Sequence, residues 1–174
     1  HIISSEPLQK GGRTDDFFFL ESDGDAARKL VCDLVTTRLP RSYGFDPIRD
    51  IQVLCPTKLG PTGTQALNVE LQNLLNPEQK GKPQLQSASR VFRVGDKVMQ
   101  VRNNYEIIWN RIGGEQGVGA YNGDIGIVES INPRDRSMVV RMDDRRLIYP
   151  AENLGELEIA YAITVHKSQG SEFP

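Results

Sequence analysis

The residues best equipped for chemistry stand together near the end of the sequence: Thr164, His166, Lys167, Ser168, Gln169 and Gly170. They offer hydroxyl, imidazole, ammonium and carboxamide groups in one run, with a glycine that lets a phosphate approach the backbone. An apolar stretch, Ala160-Tyr161-Ala162-Ile163, leads directly into them. A buried strand that ends at a working surface, with a helix about to begin, has this pattern. In open parallel α/β sheets, ligands bind just past the carboxyl ends of strands. The plainer alternative is an ordinary strand-to-helix turn with a surface histidine.

A second group follows Ile51-Gln52-Val53-Leu54-Cys55, which reads as a strand closed by Pro56. Thr57, Lys58 and Thr64 sit in a loop with Gly60-Pro61-Thr62-Gly63, just before a helix whose apolar face is Leu67, Leu71, Leu74 and Leu75. Asn76-Pro77 stops that helix. At a helix N-terminus these side chains suit phosphate contact. The competing reading is a Gly/Pro loop with a solvated lysine and Thr64 as N-cap.

The elements that must position these groups come in order. Asp16-Phe17-Phe18-Phe19-Leu20 reads as a strand buried on both faces. Asp23 or Asp25 then caps a helix running to Pro40, with Ala26, Ala27, Leu30, Val31, Leu34 and Val35 at helical spacing. Strand, helix and the strand at 51–55 predict a right-handed βαβ unit. Residues 78–90 read as a linker. Short strand-like segments follow at 92–94, 97–101, 126–131, 137–142 and 146–149, split by turns such as Asn122-Gly123-Asp124 and Asn132-Pro133-Arg134-Asp135. Such spacing predicts a small barrel. Residues 102–121 hold four glycines (Gly113, Gly114, Gly117, Gly119) and read as a long mobile loop. Its Tyr105, Trp109, Arg102 and Arg111 either bind single strands, as aromatics beside arginines do, or form a lid on the barrel core. Residues 157–163 return as a third core strand, so the barrel is an insertion.

The chain has 174 residues, 38% hydrophobic and 25% charged, with a formal net charge of −2. This suits one soluble domain carrying an inserted lobe, and gives no global nucleic-acid signature. Any such binding must come from a few placed cations. Cys32 and Cys55 lack metal-ligand spacing and read as buried free thiols in a reducing cytoplasm. No metal site is expected. No apolar run reaches the length a membrane span needs, and no signal peptide is evident. The sequence lacks an initiating Met and stops directly after the terminal run, so a fragment of a longer protein is expected.

The stretch Thr164-Val165-His166-Lys167-Ser168-Gln169-Gly170 resembles motif V of superfamily 1 helicases, and Ser171-Glu172-Phe173-Pro174 resembles its RecD-like branch, the exodeoxyribonuclease V alpha subunits and their stand-alone relatives. Gly60-Pro61-Thr62-Gly63-Thr64, with Leu67-Asn68, Leu71-Gln72 and Leu75-Asn76-Pro77, is similar to that family's motif IV region. Gly95-Asp96-Lys97-Val98-Met99-Gln100, Asn103-Asn104-Tyr105 and Tyr121-Asn122-Gly123-Asp124 resemble its SH3-like insertion. The run at 111–117 departs from the family's usual spacing.

The resemblance implies an α/β fold: the second RecA-like, parallel-sheet domain of a superfamily 1B DNA helicase with an inserted SH3-like β-barrel. Residues 1–89 would open the RecA-like domain, 90–152 form the barrel, and 153–174 return with motif V. It also implies a 5′ to 3′ DNA helicase parent in recombination and repair, using ATP and Mg²⁺, in the cytoplasm. Its partners would be single-stranded DNA, ATP, an N-terminal RecA-like domain of the same chain and, in the exodeoxyribonuclease reading, nuclease-complex subunits. DNA contacts carry over to Thr164, His166, Lys167, Ser168, Thr57, Lys58, Thr64, Asn104 and Tyr105. Nucleotide contacts carry over to Gly170, Glu172 and Gln169. No Gly-x-x-x-x-Gly-Lys-Ser/Thr loop occurs in the sequence, so the chain itself is expected to bind no cofactor and to be catalytically silent. The alternatives are a conjugative relaxase-helicase segment, or a non-enzymatic DNA- or protein-binding module built on the barrel.

Overall fold

The computed structural model describes residues 18–111 and 113–168. Helical spacing in the first helix, α1 (Gly24–Asp33), brings Cys32 into a core that Val35 joins one turn later. The helix does not end at Pro40 as expected. Leu34–Arg38 widens into π-helical turns, and α2 (Leu39–Tyr43) accommodates Pro40 in its first turn. A widened turn keeps the proline ring off the preceding carbonyls. Gly44 then closes the helix at φ 75°, its N–H donating to the Pro40 carbonyl at 2.9 Å.

The strand β1 (Val53–Cys55) pairs in parallel with the last strand, β11 (Ala162–Thr164), Val53 against Ala162 and Cys55 against Thr164. This corrects the expected βαβ unit. Phe18, Phe19 and Leu20 form no strand and are more than half exposed, because the described parallel partner of β1 comes from the far end of the chain. Residues 16 and 17 lie outside the described part. The helix α3 (Thr64–Leu75) packs Leu67 and Leu71 against Cys55, Tyr161 and Ala162, while Leu74 turns outward. Thr64 is the first residue of α3 and not its cap, a position taken by Gly63. Both cysteines are free and buried here; burial pushes the Cys32 thiol up to about 11 and raises that of Cys55.

The rest of the chain is mostly antiparallel sheet. β2 (Gln84–Ser87) lies in the stretch expected to be a linker and makes a hairpin with β3 (Arg90–Arg93), which overlaps the strand expected at 92–94. Then come β4 (Lys97–Gln100), β5 (Asn104–Arg111), β6 (Gln116–Ala120), β7 (Ile125–Asn132), β8 (Ser137–Met142), β9 (Arg145–Tyr149), a 3₁₀ turn at Ala151–Glu156, and β10 (Leu157–Ile159). They form a seven-stranded sheet in the order β10-β4-β7-β8-β9-β5-β6. Alternation along β8 sends Met138, Val140 and Met142 inward, where they meet Phe92, Leu147 and Tyr149. A register shift between Val128 and Ser130 bends β7, as a curled sheet requires.

The loop expected at 102–121 is instead the hairpin β5–β6. Its glycines serve packing as well as turning. A Cβ on Gly117 would stand 2.3 Å from the Trp109 ring, so only glycine lets the indole lie flat on the neighbouring strand. Arg111 covers that ring at 5.3 Å. The turn beyond uses Gly113 and Gly114 at φ 132° and 92°.

The expected third core strand at 157–163 is split between two sheets. β10 joins the large sheet through β4, and after Ala160 and Tyr161 the chain enters β11. Asn68 of α3 holds the division: its amide donates to the Ile159 and Ala162 carbonyls at 2.9 Å, and its oxygen accepts the Ala162 N–H at 2.8 Å. Asn68, Gln72 and Asn76 repeat at i, i+4 and i+8 beside the leucine stripe, so one flank of α3 is a row of carboxamides. Gln72 and Asn76 reach Asp96, in the turn between β3 and β4, at 2.6 Å each. Tyr161 donates to Asp96 at 3.0 Å, and the Arg93 N–H at 2.7 Å.

Beside this joint, buried Lys97 donates to the Ile51 carbonyl at 3.0 Å. Burial lowers its ammonium to about 8, opposed by Asp46 and Asp50. A lysine shifted downward costs stability below its folded value, and the cost is relieved as pH rises towards the unfolded value near 10.4. From about pH 8 to about pH 9, the wild type should therefore gain about 1 kcal/mol relative to Lys97→Met. Urea unfolding at the two pH values checks this, since the shared cysteine titrations cancel in the difference. A constant gap would mean that Lys97 titrates normally.

Candidate nucleic-acid interface

The chain leaves β1 through a loop that folds back on the start of α3. The Thr64 N–H donates to the Thr57 carbonyl at 3.2 Å, and the Gln65 N–H to the Lys58 carbonyl at 3.1 Å. A Cβ on Gly63 would fall 2.5 Å from the Leu59 carbonyl oxygen, so the tight return needs glycine. The Thr57 hydroxyl is turned inward to the Leu59 carbonyl at 2.8 Å. Lys58 is left exposed on the rim, with no carboxylate partner among the described residues.

Alongside, β11 ends at Thr164 and the chain turns into α4 (Val165–Ser168). Thr164, Lys167, Lys58 and Thr64 line one small cleft of about 20 Å³ at the carboxyl ends of β1 and β11. Sequence reasoning placed these four in two separate motifs, and the parallel pair brings them together. His166 is exposed beside the cleft. The Ser168 hydroxyl donates to the Val165 carbonyl at 2.7 Å, which fixes the turn. Gln169, Gly170 and Glu172, the nucleotide contacts expected from the sequence, lie outside the described residues.

Lys167 also joins this end of the α/β core to the large sheet. Its ammonium donates to Asn122 Oδ1 at 2.5 Å and to the Val101 carbonyl at 3.4 Å. The Asn122 N–H in turn donates to Asn103 at 2.8 Å. Beside them stand Tyr105, at the start of β5 and 65% exposed, and Tyr121, ring centroids 6.1 Å apart and edge to face. Exposed aromatic faces beside lysine and arginine are what single-strand binders use for stacking. Asn104 is placed differently from Tyr105. Its amide nitrogen is committed to both carboxylate oxygens of Glu156 at 3.0 Å, and its oxygen accepts the Glu106 N–H.

Glu156 was not singled out in the sequence, yet it organises this surface. Nearly fully buried, it accepts from Gln100 at 3.0 Å, Arg102 at 2.9 Å and Asn153 at 2.9 Å, besides Asn104. Burial raises its carboxyl, but these donors outweigh burial and hold it below the usual range. The signal was weak: a glutamate in an ordinary polar turn, with every partner at least 50 positions away except Asn153. The carboxamide row on α3 was more legible, since its spacing matches the helix. Among the described residues, no group of His, Cys, Asp or Glu is arranged to hold a metal ion. No helix there is long and apolar enough to cross a membrane.

Residues 67–142 match the family model for the SH3 domain of ATP-dependent RecD-like DNA helicases. The chain belongs to the RecD-like helicase family. An ATP-dependent RecD2 DNA helicase of Deinococcus radiodurans is 34% identical over 123 residues, which is 71% of this chain and 15% of that protein. A RecBCD enzyme subunit RecD of Mycobacterium tuberculosis is 30% identical over 121 residues, 70% of this chain and 18% of that protein. The chain thus spans under a fifth of these relatives. A solved Pif1 helicase structure, from work on DNA unwinding at forked duplexes, overlaps 82% of this RecD-like chain and 34% of its own, with TM-score 0.44 and 23% identity.

Proposed function

We propose that this chain contributes the single-strand contacts of the second RecA-like domain in an ATP-dependent DNA helicase, moving 5′ to 3′ in recombination and repair. The observation that carries the reading is the convergence of Lys58, Thr64, Thr164 and Lys167 on one cleft at the carboxyl ends of a parallel strand pair. A strand backbone lying there meets two ammonium groups and two hydroxyls, and the Tyr105–Tyr121 pair stands across the Lys167–Asn122 link for its bases. Phosphates would position the strand, and stacking would hold it without reading sequence.

In the whole protein, ATP and Mg²⁺ would act in the cleft against an N-terminal RecA-like domain of the same polypeptide. Gln169, Gly170 and Glu172 are the proposed nucleotide contacts, His166 a further proposed DNA-backbone contact, and Lys167, Ser168 and Gln169 the residues between the ligands. ATP and DNA would then be coupled because both bias one closure. Work inside a nuclease complex and a cytoplasmic location belong to the same proposal.

The test is fluorescence anisotropy of the chain with labelled oligothymidylate at low salt. Lys58→Glu replaces a cation that makes no ion pair or side-chain hydrogen bond among the described residues, and should weaken binding at least about tenfold by placing a like charge against phosphate. Lys167→Ala should weaken it too, with some loss of order around Asn122. A Lys58→Glu affinity equal to the wild type would defeat this reading.

A further inference from the structure

A groove of about 360 Å³ opens between α3 and the β2–β3 hairpin, and its hairpin side, Ser89, Arg90 and Val91, belongs to no motif. It adjoins the small cleft, since Lys58, Thr64, Asn68, Glu158 and Ile159 line both. Its size lies within the range of about 300–1,000 Å³ typical of ligand sites. Val69, Val91 and Ile159 give it apolar walls, Gln65 and Ser89 add neutral polar groups, and Lys58 and Arg90 are its two cations. A channel lined by two cations and by apolar side chains suits a chain that alternates phosphates with flat bases.

We infer that the single strand continues from the Lys58–Lys167 cleft into this groove, and that the Arg90–Glu158 ion pair regulates how tightly it is held there. The inference rests on the single-strand reading above. Arg90 donates to Glu158 at 3.1 Å and, through its other terminal nitrogen, to the Leu157 carbonyl at 3.1 Å. Both partners are about one-third exposed, so the pair is weakly held and open to competition. A phosphate entering the groove draws Arg90 from Glu158, while the Leu157 bond keeps the guanidinium in place. Glu158 thereby acts against binding: its charge must be left behind whenever Arg90 turns to the strand. Val91 lies next to Arg90 and Ile159 next to Glu158, so each charge borders the apolar wall that would receive a base.

The opposed roles of the two residues give a test that misfolding cannot imitate. Anisotropy titrations of the 174-residue chain would use oligothymidylates of roughly 5 and roughly 15 nucleotides, bracketing common single-strand site sizes. Arg90→Ala should weaken binding of the longer oligonucleotide about fivefold and reduce its salt slope by about 0.7, the value for one phosphate contact on single strands. Glu158→Gln should tighten it about threefold at low salt, because Arg90 is freed while the shape is kept. Arg90→Ala should not move the affinity of the shorter one, held at the first cleft alone, and Glu158→Gln, whose residue lines both, should tighten the longer one more than the shorter. Wild-type affinity in both variants, alongside the loss in Lys58→Glu, would overturn the groove and leave the proposed function standing. Failure of the wild type to bind either length would overturn both. Should Arg90→Ala melt early, a Glu158→Gln gain larger for the longer oligonucleotide than for the shorter still decides, and an equal gain for both lengths would overturn the groove.

Discussion

Asp96→Asn should destabilise the fold by about 3–4 kcal/mol, since two buried donors would face a donor, at about 1–3 kcal/mol each. Asp96 is fully buried, and each of its oxygens accepts twice: one from Asn76 and Tyr161, the other from Gln72 and the Arg93 N–H. An asparagine side chain keeps the shape but turns one oxygen into an NH₂. Gln72 cannot escape by flipping, because its nitrogen also donates to the Val91 carbonyl at 2.8 Å. Nor can Asn76, whose nitrogen also serves the Val94 carbonyl. The loss would be felt across the molecule, because Asp96 ties α3, the β3–β4 turn and Tyr161 to one point. Urea unfolding should show a lower midpoint at unchanged m. A shift under about 1 kcal/mol would mean that the network relaxes, as exposed polar sites do.

Burial pushes the Asp96 carboxyl above its usual range, against the pull of its donors. The native state then holds this proton more tightly than the unfolded chain. Its contribution to stability therefore falls as pH rises from the unfolded carboxylate value towards the raised folded one. The asparagine variant lacks this slope.

The parts of the fold legible from sequence are those where local pattern and final environment agree. β7, β8 and β9 alternate or run apolar between turns that have the right residues, and α3 shows its leucine stripe. The missed elements depend on partners remote in sequence. Gln84–Ser87 is polar in composition and becomes a strand because Leu85 packs by Phe92, its cross-strand neighbour. The glycines of β6 counted as flexibility, whereas Gly117 makes room for Trp109. Phe18–Leu20 has strand composition but no described strand to pair with. The division between β10 and β11 is invisible in an apolar run, since it is made by Asn68 on another element.

The candidate site divides the same way. Lys58, Thr64, Thr164 and Lys167 were recognisable because glycine and polar groups crowd after apolar strands. Their meeting in one cleft follows from the parallel pairing of β1 and β11, which no local pattern specifies. Glu156 needed the fold, since its donors come from β4, β5, the link between them and the 3₁₀ turn.

Glu156→Gln should cost about 2–3 kcal/mol above neutral pH, for two donor–donor conflicts partly relieved by solvent at the exposed Arg102. One carboxylate oxygen accepts from Arg102, Asn104 and Asn153, the other from Gln100 and Asn104. Wherever the new NH₂ lies, it meets an amide nitrogen. Gln100 resists turning, because its oxygen accepts the buried Tyr149 hydroxyl at 3.0 Å and its nitrogen serves the Arg102 carbonyl at 2.8 Å. The pH dependence runs opposite to that of Asp96. A carboxylate held below its usual range contributes stability above the unfolded value of about 4.3, and that contribution is lost as pH falls through the lower folded value. The stability gap between wild type and Glu156→Gln should thus be widest near neutrality and close on acidification below about pH 4. Function should follow, because Glu156 holds Asn104 and Arg102 in the surface beside Tyr105. Affinity for the longer oligothymidylate should drop severalfold, with the salt slope nearly unchanged, since no phosphate contact is removed. A slope reduced by about 0.7, as in Arg90→Ala, would instead mean that Arg102 itself contacts a phosphate and is misplaced once Glu156 no longer holds it.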